Sequence, residues 1–405
     1  MKRTARDKTQ DRPRPVERIE LSEGNSRRKL ILLCALLVIS ALAFGYALYH
    51  LLTPERGWTV IQVQESNTPH VGGDYVFQYD LTDAQYPAQT KRALTRCYSD
   101  AAKEAYWIFH PTVPQEELHN LAWLSAHPNE TVTVDARLYG ALQILQEHGS
   151  RQLYLGPVYA VQRALFLSQD DLEAQNYDPE RSAEIADFNA AVAAFAADPK
   201  SIDLKLLGEN QVRLEISEAY LRFCQENDVT EFLDFYDLKN AFVTDFLADS
   251  LQKAGFTDGY LVSSDGFTRN LDLRGKDYAV SLFARDGSRA QSMGQLIYQG
   301  PMSLVVLRDY PLTTLDRSRY YTRPDGSVIT SLLDAQAQSV SALHELYACS
   351  ESLSCAQTAL YARDVFVSSE LHQEALDALQ QAGGEFLYFE NGEARTSSDK
   401  IQIQP

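Results

Sequence analysis

The chain has few of the residues that mark the commoner enzyme classes by their spacing. Its five cysteines give an odd count and contain no C-x-x-C pair. Cys34 lies inside an apolar run. Cys349 and Cys355, six apart, are near enough in sequence to bridge, but the four cysteines outside the run read better as small core residues. The eight histidines are scattered, with no H-x-x-x-H or H-E-x-x-H among them, which argues against a zinc hydrolase. There is no G-x-S-x-G nucleophile elbow, no G-x-x-x-x-G-K-[ST] phosphate loop and no internal repeat. The acidic run Asp170-Asp171-Leu172-Glu173 lacks EF-hand spacing and reads as a solvated helix start. Basic residues are also scarce after the first 29 positions. Residues 1–29 hold ten Lys or Arg against five Asp or Glu, which leaves 27 basic and 50 acidic residues, net −23, for the remainder. So acidic a body would repel phosphates, and nucleic acid is excluded as a partner class.

What is present is a globular composition, 45% hydrophobic with 22 Tyr and 17 Phe, over 405 residues. One long apolar run stands out. Leu30 to Leu52 is an uncharged stretch of 23 residues, and at ~1.5 Å per residue it reaches across a ~30 Å hydrocarbon core. Arg27, Arg28 and Lys29 precede it, while Tyr46 and Tyr49 lie near its far end. The positive-inside rule then predicts a single-pass membrane protein with a cytoplasmic N-terminus and an extracytoplasmic main domain. A cleaved signal peptide fits less well, because the run exceeds the usual ~7–15 residues and no A-x-A-like site follows. The expected organisation is a basic cytoplasmic tail (1–28), a transmembrane helix (29–52), a linker (53–73) and one domain (74–400).

Within that domain the pattern alternates between strands and helices. Asp74 to Leu81 reads as a first strand, Thr90 to Trp107 as a helix, and Thr131 to Val134 as a short strand. Asp135 is a candidate N-cap for a helix over Arg137 to Glu147, closed by Gly149. Asp171 to Ser201 is Ala- and acid-rich and mostly helical, and Val212 to Ile216 alternates as a strand should. Further strands are expected near Tyr278–Phe283, Ser303–Val306 and Val340–Tyr347. Helices are expected over Leu353–Val367 and Glu370–Gly383. Two hairpins carry the appropriate turn residues, one at Pro324-Asp325-Gly326-Ser327 and one at Asn391-Gly392.

The most informative stretch is Glu231 to Phe267. Val243, Phe246, Leu247, Leu251 and Ala254 make one apolar helical stripe, with Asp245, Asp249, Gln252 and Lys253 predicted to face water. Gly255 supplies a left-handed stop, and Tyr260-Leu261-Val262 reads as a buried strand before the turn Ser263-Ser264-Asp265-Gly266. This order resembles the signature region of the ApbE-type flavin transferases, D-L-G-G-I-A-K-G-Y-A-V-D followed by helix, strand and N-x-G-G-D. The aspartates at both ends stand here as Asp234 and Asp245. Tyr236, Asp237 and Ala241 replace glycines, and Asn240 replaces the lysine. Gly156-Pro157 matches the family's G-P, Asp334 matches the aspartate of H-H-I-x-D-P-x-T-G, and Thr358 matches the threonine of D-A-L-x-T-A-L-F, with Ser354 at its aspartate.

The resemblance runs from about Tyr75 to Ser397. It implies an α+β fold, a single ApbE-like, T-fold-related domain after the transmembrane helix. It also implies transfer of FMN from FAD to a threonine or serine of a partner protein, with Mg²⁺. Thr358, Ser354 and the Lys239 carbonyl would then meet the metal, a weakened set because a neutral hydroxyl binds Mg²⁺ less well than a carboxylate. Asn240, Asp245, Asp265, Asp334 and Tyr236 would face the flavin nucleotide. A helix N-cap is the competing role for Ser354, and a solvated surface acid the competing role for Asp245. Tyr236 either blocks the pocket or stacks on an isoalloxazine ring. Three functional readings stay open on sequence. They are an FAD:protein FMN transferase serving a membrane electron-transfer system, a non-catalytic relative that binds flavin or docks partners, and an unrelated extracytoplasmic interaction domain.

Overall fold

The structure is a computed structural model that describes residues 26–52, 56–64, 67–287, 289–313, 316, 318–398 and 401–404. It divides into two compact units, residues 1–55 and 56–405. In the first, helix α1 spans Ser26–Leu52, and its described side chains, Leu30 to Tyr46, are exposed. Among the described residues no helix is long and apolar enough to cross a membrane. The predicted tail and both ends of the predicted span fall outside the described side chains.

In the second unit β1 (Trp58–Ile61) pairs with β2 (Tyr75–Asp80), so the sheet begins inside residues 53–73, a stretch that reads as a linker or first strand. Along β2 the side chains of Tyr75, Phe77 and Tyr79 are buried while Val76 is exposed, the period-two alternation of a sheet with one covered face. Then follow α2 (Pro87–Ile108), α3 (Leu121–Ala126), β3 (Thr131–Thr133) and α4 (Ala136–His148). Asp135 caps α4 by accepting from Arg137 N at 2.8 Å, and Gly149 closes it at φ +76°, both as expected. Next come α5 (Gly156–Leu167), α6 (Asp171–Ala174), α7 (Ala183–Ala197), β4 (Ile202–Gly208), β5 (Gln211–Ile216), α8 (Glu218–Glu226) and α9 (Lys239–Lys253). The expected long helix over 171–201 is thus two, separated at Gln175–Ser182.

Strands β6 (Gly259–Ser263) and β7 (Phe267–Asn270) form a hairpin, followed by β8 (Asp277–Asp286), β9 (Arg289–Gln299) and β10 (Met302–Arg308). Strands β11 (Tyr320–Thr322) and β12 (Val328–Thr330) make the second hairpin, with Gly326 at φ +87° in its turn. The chain ends with β13 (Glu345–Ser350), α10 (Cys355–Phe366), α11 (Gln373–Gln381), β14 (Glu385–Glu390), β15 (Glu393–Thr396) and β16 (Gln402–Gln404). The strand expected at Val340–Tyr347 therefore starts later, and β4 and β9 are strands the sequence pattern did not reveal.

The main sheet has eight antiparallel strands in the order β1-β2-β6-β7-β10-β13-β14-β15. Helices α2, α9 and α10 cover one face, and their buried residues join Phe77, Leu261, Val305 and Leu346 in a single core. A smaller core lies on the other face, where Leu282 and Leu296 of β8 and β9 pack on Leu304, Tyr347, Cys349 and Leu387. All five cysteines are free, so Cys349 and Cys355 are buried thiols rather than a bridge.

Candidate functional site

The site region forms where the loop before α9, the β6–β7 turn, the segment after β12 and the start of α10 meet. Asp234 is buried and anchors the loop. Arg163 of α5 donates to it, its Oδ1 accepts from Tyr236 N at 2.9 Å, and its own N donates to Leu153 O at 3.0 Å. The close approach of α5 explains Gly156. A Cβ there would lie 2.9 Å from the Phe232 carbonyl carbon and 3.0 Å from Glu231 O. Tyr236 itself sits at φ +43°, a left-handed conformation that glycine adopts freely and tyrosine adopts at a cost of about 1–2 kcal/mol. Its ring lies on that of Tyr159 at 4.4 Å with the planes 22° apart, and its buried hydroxyl has no partner. The partner of the Tyr236 ring in the structure is thus the protein's own Tyr159.

At the start of α9, Asn240 Nδ2 donates to Asp265 Oδ2 at 2.8 Å, and Ser263 Oγ donates to the other oxygen of the same carboxylate. Burial pushes the Asp265 carboxyl above its usual range, against the attraction of Arg319. Asp245 does not face water as its place on the helix suggested. Its two oxygens accept from Cys355 N and Ala356 N, each at 2.8 Å, so it anchors the N-terminus of α10. Burial raises its pKa too, opposed by those two donors. The helix stripe alone could not show this, because α10 approaches α9 on the side the pattern assigned to solvent.

Ser354 is the N-cap of α10. Its Oγ accepts from Gln357 N at 3.2 Å, and Gln357 Oε1 accepts from Ser354 N at 3.0 Å, a complete capping box. The Thr358 hydroxyl is buried and donates to Ser354 O at 2.8 Å. Lys239 is the first residue of α9. Asp334 shapes a turn, with Oδ1 accepting from Gln336 N at 2.9 Å and from Gln338 N at 2.8 Å. The structure thus joins Asn240 to Asp265, and Asp245 to the Ser354 end of α10, while Asp334 spends its hydrogen bonds locally.

Sequence reasoning did not single out Arg363. This residue is buried on α10, its Nε donates to Asp237 Oδ2 at 2.8 Å, and it also donates to the Leu333 carbonyl. The available signal was a lone arginine in the apolar row Ala356, Ala359, Arg363 and Phe366. Burial raises the Asp237 pKa against the pull of Arg363, and Asp237 Oδ1 remains without a partner. Between Asp237, Asp265, Arg319, Thr330 and Leu332 the open space is about 30 Å³. That holds one water molecule, whereas pockets for nucleotide-sized ligands run to ~300–1,000 Å³. Of the residues expected to face the flavin nucleotide only Asp265 lines this space, and the residues around it do not fit FAD as they stand. They do not fit Mg²⁺ either: the hydroxyls of Ser354 and Thr358 are engaged within α10, Asp245 is turned to backbone donors, and the described residues contain no cluster of three His, Cys, Asp or Glu.

No family model matches the sequence, and no curated protein matches it. Solved structures do. The flavin transferase ApbE from Vibrio cholerae superposes with a TM-score of 0.56 at 12% identity, over 85% of this chain and 98% of the other. The ApbE protein from Thermotoga maritima superposes with a TM-score of 0.53 at 13% identity, over 84% of this chain and 97% of the other. Across nearly the whole length of those proteins, this chain has the mixed α+β fold of the ApbE flavin transferases, in a divergent form.

Proposed function

We propose that this protein is a membrane-tethered, extracytoplasmic ApbE-fold domain that docks a partner protein and does not transfer FMN. The observation that carries this reading is the closed cleft. Tyr236 and the Asn240–Asp265 bond stand at positions that the family resemblance gives to the flavin nucleotide, Tyr159 and Arg363 pack against Tyr236 and Asp237 there, and the space beside Asp237 and Asp265 is about 30 Å³. Each of these contacts joins two groups of the chain, with the Tyr236 hydroxyl, Asp237 Oδ1 and Asn240 Oδ1 left over, so admitting FAD would require breaking several contacts together. The apolar run 30–52 with Arg27, Arg28 and Lys29 before it supports the tether and the outward orientation of the domain. The partner would be a flavin-accepting protein of a membrane electron-transfer system, the class that the family resemblance implies.

A second reading, FMN transfer from FAD, is favoured by one arrangement. Asn240 bonds to Asp265 and Asp245 accepts from the first turn of α10, residues that the family resemblance assigns to the nucleotide and to the metal helix. Purified full-length chain in detergent, mixed with FAD with and without Mg²⁺, separates the two. The proposal expects no quenching of flavin fluorescence and no AMP release when an acceptor domain is added, while the acceptor still co-purifies. AMP release would overturn it in favour of the second reading.

A further inference from the structure

The face of the main sheet that carries the smaller core is covered over only part of its width. The β8–β9 hairpin packs on Leu304, Tyr347, Cys349 and Leu387, toward one edge. The register carries the same face to the other edge, with Thr268 beside Leu304, Val262 beside Thr268 and Val76 beside Val262. There β1, β2 and β6 present Trp58 and Val60, Val76 and Gln78, and Tyr260 and Val262. Trp58 is 46% exposed, Val60 49% and Val76 48%, so nothing in the described chain covers them. The one charged side chain these three strands add to that face, Asp80, is buried and held by Lys276. In a body of net charge −23, an uncharged apolar strip marks a binding surface.

The strip runs into a cavity of about 530 Å³ beneath the hairpin. Tyr260, Val262, Leu304 and Val306 line its sheet side, and Tyr278 and Tyr298 its hairpin side. The half-exposed Trp58 lines it too, so strip and cavity are continuous. No lysine or arginine lines it among the described residues, and its one carboxylate is Asp277, which accepts from Gln299 Nε2 at 2.5 Å. Aromatic faces with a single carboxylate favour an ammonium group and disfavour an anion. The Trp58 ring already has the Lys276 ammonium 5.9 Å from its centroid.

The length of the preceding chain points to the occupant. Six residue steps join Leu52, the last of the apolar run, to Trp58, and at ~3.3–3.6 Å each they span at most ~22 Å. A chain anchored by that run keeps β1 within this reach of the bilayer surface. Trp and Tyr beside aliphatic side chains are also the residues that settle at a membrane–water interface.

We propose that this strip and cavity bind a zwitterionic membrane lipid, its acyl chain against the aliphatic and aromatic side chains and its ammonium group toward Asp277. The proposal rests on the membrane tether proposed above, and it is independent of whether the cleft admits flavin.

The test places full-length protein in nanodiscs of phosphatidylcholine whose acyl chains carry bromine, which quenches tryptophan emission on contact. Trp107→Phe with Trp123→Phe leaves Trp58 as the one tryptophan. Trp58 is expected to lose most of its emission relative to unbrominated discs, and to lose less in discs of brominated phosphatidylglycerol. Val76→Glu, a change at a half-exposed position, is expected to restore the emission. Native mass spectrometry of the chain released from the discs makes the same comparison without tryptophan, should the double phenylalanine variant fail to fold. There the parent is expected to keep phosphatidylcholine that Val76→Glu loses. Co-elution with the disc in gel filtration reads the tether by itself. A chain that does not enter the disc overturns the tether and the lipid site together. An anchored chain whose Trp58 emission ignores bromine, or whose quenching and retained lipid survive Val76→Glu, overturns the lipid site alone.

Discussion

Two groups of buried aspartates in this domain have opposite fates. At one edge of the main sheet, Asp80 and Asp272 are met by cations. Lys276 donates to Asp80, Thr82 adds bonds at 2.9 and 2.6 Å, and Arg274 grips Asp272 at 2.8 and 2.6 Å. Burial opposes ionisation of both carboxyls, yet these donors prevail and hold each at a pKa of about 2. In the cleft, burial dominates instead and raises Asp237, Asp245 and Asp265. Asp245 has two backbone N–H groups with the Ser354 hydroxyl and a more distant Arg269, Asp265 an amide, a hydroxyl and a more distant Arg319, and Asp237 a single arginine. The sign of the shift follows from the depth of desolvation together with the count and charge of the donors, and the two groups differ in both.

The pH dependence follows with opposite signs. For Asp80 and Asp272 the folded pKa is depressed, so they contribute stability above the unfolded value that is lost as pH falls from ~4 toward 2. For the cleft aspartates the folded pKa is raised. Their contribution is favourable below the unfolded value and is lost as pH rises through the raised one. Removing a carboxylate charge should therefore destabilise the first region and spare or stabilise the second.

The largest expected effect comes from Arg274→Met. It leaves Asp272 and Asp80 buried with a cation removed, and should cost about 3–5 kcal/mol in urea denaturation at neutral pH. A loss below 1 kcal/mol would mean that Lys276 and Thr82 hold the region alone. Arg363→Met in the cleft should cost about 3 kcal/mol, because Asp237 is left unpaired, and the added change Asp237→Leu should recover most of the loss. If the double variant is no better than the single one, the pair is not the unit described here.

Tyr236→Gly comes next. Losing a buried ring costs about 3–5 kcal/mol, offset by about 1–2 kcal/mol from relief of the left-handed strain, so a net loss of roughly 2 kcal/mol is expected. The same change opens the cleft, and the variant should quench FAD fluorescence where the parent does not. Quenching in neither would show that Tyr236 is not what closes it. The smallest effect is that of Asp265→Asn, which keeps an acceptor for Asn240 or Ser263. It should raise Tm by about 1–3 °C at pH 7.5, and that gain should disappear by pH 4. A lower Tm at both pH values would place Asp265 with Asp80 rather than with Asp237.

How far the residue pattern reached is visible element by element. Asp135 and Gly149 around α4, the stop at Gly255, the turns at Gly326 and Asn391-Gly392, and the α10 boundaries all follow from local chemistry, and the structure has each of them. Strand β9 escaped because Arg289 to Gln299 is polar and exposed along much of its length, with its few buried residues meeting a second core on the far side of the sheet. Cys349 and Cys355 stayed ambiguous until strand and helix put them in separate surroundings, one in each core. The acids at the family's positions were legible as acids, but their partners were not. Asp245 meets α10, more than a hundred residues later in the chain, and Asp237 meets Arg363.

The sequence by itself determined where helices start and stop, which turns are tight, the acidic character of the body, and the order of elements that the ApbE fold requires. Those are local properties, set by caps, glycine conformations and hydrophobic period within a few residues. Only the tertiary structure decided whether the cleft is open. That depends on which side chains arrive from distant segments and on whether their hydrogen bonds are completed by one another or kept for a ligand. In this chain Arg363 and the N-terminus of α10 supply part of that completion and Tyr159 packs the ring of Tyr236, while the Tyr236 hydroxyl, Asp237 Oδ1 and Asn240 Oδ1 are left without partners.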